Sequence, residues 1–152
     1  MSAKVTDEFT VDMTGAWTQA YISEPQSRPG LPVTTGQRIN NIPKYTGSLA
    51  FSYETPLQGG DYTLRARLSE AYVGPSDDVA VNRETLGGYG LVEARAGIVH
   101  NKWSAYLYGN NLNNKHAALT IDNTVFAWQQ PTITRVSTNQ PRTIGLQFET
   151  KF

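Results

Sequence analysis

The 152-residue chain contains no cysteine. That excludes disulfides and thiol catalysis and leaves the redox compartment undecided. No stretch approaches the roughly 20 apolar residues of a transmembrane helix. The opening, Met1-Ser2-Ala3-Lys4-Val5-Thr6-Asp7-Glu8, lacks the apolar region of a secretory leader. Either the protein is cytoplasmic or the chain is not a whole precursor. Neither sign of charge is in excess, because 13 Lys and Arg balance 13 Asp and Glu, so nothing points to nucleic acid or to an acidic membrane surface. Histidine is scarce: His100 reads as a turn residue and His116 as a loop residue, far apart in sequence and both exposed. Gly87-Gly88-Tyr89-Gly90 has no helix after it to cradle a phosphate and reads as a turn. Asp77-Asp78 could touch a cation but reads more readily as a solvated loop. No enzyme, metal site or cofactor is expected.

What the chain does have is period two, the period of a strand. Six runs show it, over 9–21, 45–53, 62–73, 89–99, 103–110 and 142–152. In the first, Phe9, Val11, Met13, Gly15, Trp17, Gln19 and Tyr21 share a face; in the third, Tyr62, Leu64, Ala66, Leu68 and Tyr72 oppose Thr63, Arg65, Arg67 and Ser69. The connections alternate in length. Ile22–Lys44, Gly74–Gly88 and Asn111–Pro141 are long; Glu54–Asp61 and His100–Lys102 are short. Such a meander places every long loop at one end of the sheet and every short turn at the other. The fold class is therefore all-β, an antiparallel up-and-down meander of about six strands in one domain.

Alternation alone also fits a soluble sheet with one wet face. Three features favour a transmembrane barrel instead. Aromatics gather at the two ends of the apolar face: Phe9, Tyr53, Tyr62, Trp103 and Phe152 at the short-turn end, and Tyr21, Tyr45 and Tyr72, with Trp17 just inside, at the long-loop end. Amphipathic rings are favoured at both water–lipid interfaces, about 25 Å apart, whereas a soluble core would hold its large rings centrally. Charges are one-sided: Asp12, Arg65, Arg67, Glu93, Arg95, Glu149 and Lys151 fall on the polar face, and Glu70 and Arg142 fall on the apolar side near the long-loop rim. An Arg or Lys at the bilayer midplane would cost roughly 2–4 kcal/mol. The runs also match the roughly 9–11 residues with which a tilted strand crosses a bilayer.

The last run, Pro141-Arg142-Thr143-Ile144-Gly145-Leu146-Gln147-Phe148-Glu149-Thr150-Lys151-Phe152, resembles the C-terminal strand of bacterial outer-membrane proteins, with Thr150 where an aromatic is common. More specifically, the chain resembles the C-terminal end of TonB-dependent receptors over Phe9 to Phe152. The matching pieces, in order, are Gly36-Gln37-Arg38-Ile39-Asn40-Asn41-Ile42-Pro43-Lys44-Tyr45-Thr46, then Tyr89-Gly90-Leu91-Val92-Glu93-Ala94-Arg95-Ala96-Gly97, then Trp103 through Asn110-Asn111-Leu112-Asn113-Asn114-Lys115, and Pro141-Arg142-Thr143-Ile144-Gly145-Leu146. The resemblance implies a barrel of about 22 strands around a plug domain. It implies import of ferric siderophores, vitamin B12 or sugars across the outer membrane of a Gram-negative bacterium, with energy from the TonB complex. The implied partners are outer-membrane lipid, the rest of the barrel, the plug, the TonB complex through an N-terminal part not in this chain, and the assembly machinery that reads the strand ending in Phe152. Six strands cannot enclose such a lumen, since even a filled barrel takes about eight. The chain is therefore expected to be a fragment of a receptor or a truncated reading frame.

Arg65, Arg67, Glu93 and Arg95 would project into the lumen, where they contact the plug or an anionic substrate, or else form a mutually neutralising ladder on a wet wall. Phe126 and Trp128, in the longest loop, either stack on a ligand or pack that loop down. Trp17, Tyr21, Tyr45, Tyr53, Tyr62, Tyr72, Trp103 and Phe152 are the expected membrane-interface aromatics. Two other functions stay open: a soluble β-sandwich or small-barrel ligand-binding module, and a small complete outer-membrane barrel with a structural role.

Overall fold

A computed structural model describes residues 1–28, 31–57, 59–78, 84–122 and 135–150, and every regular element in them is a strand. Seven strands form one sheet: β1 (Ser2–Lys4), β2 (Phe9–Trp17), β5 (Tyr45–Pro56), β6 (Tyr62–Val73), β9 (Tyr89–His100), β10 (Trp103–Asn110) and β13 (Thr143–Thr150). They lie side by side in chain order, and every pair is antiparallel. The six predicted runs are all present, and the meander is the predicted one. Three further two-stranded ribbons stand in the long connections: β3 (Gln26–Arg28) with β4 (Leu31–Val33), β7 (Ser76–Asp78) with β8 (Glu84–Leu86), and β11 (Ala118–Asp122) with β12 (Arg135–Thr138).

The differences from the sequence reading have physical causes. The first run was expected to reach Tyr21 but ends at Trp17, opposite Tyr45. Its partner cannot extend further, because Pro43 lacks an N–H and biases its neighbour away from regular pairing. Thr18 donates to the Lys44 carbonyl at 2.8 Å, and Tyr21 then makes an isolated bridge with Arg38. The second run instead gains three residues and ends at Pro56, which has no N–H to continue the ladder. Gly59 (φ 98°) and Gly60 (φ 76°) close the turn that follows. His100 belongs to β9 and not to the turn. β1 adds a seventh strand at the edge, where Thr6 Oγ1 accepts from the Phe9 N–H at 3.0 Å and tightens the turn.

The register carries each face unbroken across the sheet. Met13 pairs with Leu49, Phe51 with Leu68, Leu68 with Ala94, Ala96 with Leu107, and Leu107 with Leu146. A one-residue slip anywhere would send the apolar set to the wrong side. Nothing packs over that set: among the described residues only Ala50, Leu86 and Ala117 are buried apolar residues. Leu146 is 84% exposed, Phe148 67% and Met13 55%. A soluble sheet covers such a face, since each large apolar side chain buried contributes about 1.5–3 kcal/mol. Here most of the large apolar side chains on that face stay exposed, and no helix among the described residues is long and apolar enough to cross a membrane.

Candidate functional site

The polar face is the only surface of the sheet where charged groups converge. Register places its residues in rows. One row runs Thr10, Ser52, Arg67, Arg95, Tyr108, Gly145; the next runs Glu54, Arg65, Gly97, Tyr106, Gln147. Arg65, Arg67, Glu93 and Arg95, expected together from the sequence, do share this wall.

Arg65 and Arg67 are spent on carboxylates. Arg65 Nη2 donates to Glu54 Oε1 at 2.8 Å on the adjacent strand. Arg67 Nη1 reaches Ser52 Oγ at 2.7 Å and, one strand further, Asp12 Oδ2 at 3.1 Å. These half-exposed pairs use Glu54 and Asp12 in place of Glu93, so the four residues do not neutralise one another, and each pair is worth little in water. Arg95 differs. It stands directly opposite Arg67, a like-charge pairing that is unfavourable in a sheet. The two side chains part. Arg67 leans toward Asp12, and Arg95 turns the other way and lies over the Tyr106 ring, 3.6 Å from its centroid.

Tyr106 is free to take that position because Gly97, its partner across the ladder, has no side chain. A Cβ at Gly97 would sit 2.5 Å from Tyr106 Cδ1. Tyr108 covers Gly145 on the other side in the same way. Between the diverging arginines lies a concavity of about 370 Å³, lined by Arg67, Glu93, Arg95, Tyr108, Asn110 and Gln147. The sequence alone gives Tyr106 and Tyr108 no role. The signal that finds them is a tyrosine registered opposite a glycine, which needs the pairing.

On the apolar face aromatics gather at both rims, and Phe9 stacks on Phe51 at 6.1 Å. Trp17, Tyr45 and Tyr72 stack at the long-loop rim, with centroids 6.1 and 6.0 Å apart. Tyr62, His100, Trp103 and Phe148 cluster at the short-turn rim. His100, expected to be an exposed turn residue, is half-buried there, 5.0 Å from the Tyr62 ring. Tyr53 stands at the short-turn end of β5, opposite Phe9. Tyr21 lies beyond the end of its strand. Phe126, Trp128 and Phe152 lie outside the described residues.

The long connections are tied to the rim. Asp77, read as a solvated loop residue, pairs with Arg38 at 3.6 Å and joins two connections. Asn111, only 4% exposed, donates to the Lys115 and Gln140 carbonyls at 2.9 Å each and accepts from the Lys115 N–H at 2.8 Å. Asn113 bonds the Gly90 carbonyl at 2.9 Å. The run Asn110-Asn111-Leu112-Asn113-Asn114-Lys115 thus anchors the base of the last long connection.

The family model described as "TonB dependent receptor-like, beta-barrel" matches residues 2–112. The chain belongs to that family. No curated protein matches it. Among solved structures this receptor-barrel chain is similar to the ferric yersiniabactin uptake receptor FyuA from Yersinia pestis, with a TM-score of 0.77 and 16% identity. The alignment covers 99% of this chain and 22% of FyuA. At that identity the likeness shows the fold: seven strands of a receptor barrel, laid out as a wall.

Proposed function

We propose that this chain is a wall segment of an outer-membrane, TonB-dependent receptor that imports a scarce nutrient such as a ferric siderophore. The observation that carries the reading is the two-faced single-layer sheet. The large side chains of its apolar face are exposed, aromatics contact one another at both ends of it, and its reverse face carries the charges. Lipid covers the first face, with the rings at the two interfaces. The second lines a water-filled lumen that holds the plug and admits the substrate, with Arg65, Arg67, Glu93 and Arg95 on its wall. β1 and β13 end the sheet. An unpaired sheet edge is not tolerated in lipid, so neighbouring strands of the barrel complete both sides. Coupling to TonB runs through parts outside this chain.

Expression of the chain alone tests the reading. The chain should need detergent or lipid to stay dispersed. A monodisperse, cooperatively folded protein in plain buffer would contradict it and would favour a soluble binding module. In the receptor that carries this wall, loss of the receptor should abolish energy-dependent uptake of its iron chelate.

A further inference from the structure

We infer that Arg95 is the wall's anion acceptor, a site for a carboxylate presented from the lumen, whereas Arg65 and Arg67 are structural. The inference rests on the lumen reading above and assigns roles within that wall. Three arginines share the face, and their partners separate them. Arg65 holds Glu54 and Arg67 holds Asp12 and Ser52. Arg95 has no ion pair among the described residues, and its Nε is buried without an acceptor. Only the Tyr106 ring holds it.

That contact orients Arg95. A guanidinium held over a ring keeps its Nη N–H groups available at its edge, and that planar fork matches a carboxylate. Stacking also fixes the side chain before a ligand arrives, which lowers the ordering cost of binding. The neighbouring charges leave room. Arg67 is directed away to Asp12. Glu93 lies on the other side of Arg95 from Tyr106, because Tyr106 is registered with Gly97 and Glu93 with Ser69. Arg95 therefore leans away from Glu93, and Glu93 is exposed to water, so its repulsion of an incoming anion is screened. The concavity of about 370 Å³ beside Arg95, which Arg67 and the water-exposed Glu93 also line, has room for a small organic acid or a protein side chain. Tyr108, Asn110 and Gln147 on its rim supply further hydrogen-bonding groups.

The carboxylate has two possible sources, a substrate or a protein segment filling the lumen. Crystals of the receptor carrying this wall, soaked with 4-bromobenzoate, separate them through the bromine anomalous signal. If the source is a ligand, wild-type and Arg65→Gln crystals show bromobenzoate on Arg95, and Arg95→Gln crystals do not. If the source is protein, an Asp or Glu side chain occupies Arg95 in unsoaked crystals, and Arg95→Gln lowers the thermal midpoint more than Arg65→Gln does. Either outcome supports the assignment. Only water around Arg95, with equal midpoints for the two variants, overturns it. Labelling of a Ser69→Cys variant by a membrane-impermeant thiol reagent keeps the two readings apart. Absence of labelling with the plug removed would remove the lumen reading; labelling without a carboxylate at Arg95 would remove only this inference.

Discussion

Tyr106 lies across Gly97, and the space for its ring exists only because Gly97 has no Cβ. An added Cβ would also meet Tyr106 Cα at 2.8 Å and the Ala105 carbonyl, which are backbone atoms that cannot swing aside. Gly97→Ala should therefore destabilise the receptor by about 1–3 kcal/mol, the range for overpacking, and should release Arg95 from its ring. Gly145→Ala meets mainly the far end of the Tyr108 ring and should cost less. Gly15 has open space around its missing Cβ, so Gly15→Ala should be tolerated. Urea unfolding in detergent ranks the three.

Leu68 and Ser69 are sequence neighbours on opposite faces near the middle of β6. An arginine in place of Leu68 would enter lipid and should cost roughly 2–4 kcal/mol. The same residue in place of Ser69 would enter water beside Glu93 and should cost little. Equal yields of folded receptor from Leu68→Arg and Ser69→Arg would argue against the facing assigned here.

The Arg67–Asp12 pair spans β5 at 3.1 Å, with 51% and 34% of the two side chains exposed. A double-mutant cycle with Arg67→Ala and Asp12→Ala should return a coupling of about 0.2–1 kcal/mol. Asp12→Ala alone should cost more than this coupling, because it also leaves Arg67 facing Arg95 without its compensating carboxylate.

Asn111 combines a positive φ of 51° with three hydrogen bonds to backbone across the base of a long connection. Asn111→Gly keeps the backbone conformation and loses the bonds, which should cost about 1–3 kcal/mol for the groups left unpaired. Asn111→Ala adds strain in the left-handed region. Limited proteolysis should cut the 115–140 connection sooner in both variants, and sooner in Asn111→Ala.

The main sheet was legible because long strands repeat their pattern. Twelve residues of alternation in Tyr62–Val73 leave little doubt about either face. Three-residue strands such as Ser2–Lys4 and Ser76–Asp78 carry no period to read. The overshoot to Tyr21 arose because alternation continued in one strand after its partner had stopped at Pro43. The four charged wall residues were legible as a set. Their division into paired Arg65 and Arg67 and unpaired Arg95 was not, because it depends on Arg67 standing opposite Arg95 and on Gly97 standing opposite Tyr106. Register between distant segments is set by turn geometry and whole-sheet packing, which a single run does not contain.

The central claim is that one face of this sheet meets lipid and the other water. The chain has no cysteine, so a single-cysteine scan from Leu64 to Ala71, in the receptor with any cysteine elsewhere replaced and spin-labelled in lipid vesicles, reads it directly. Labels at 64, 66, 68 and 70 should collide with dissolved oxygen, and labels at 65, 67, 69 and 71 with a water-soluble nickel chelate, alternating at every residue. Chelate access at all eight positions without alternation would contradict it.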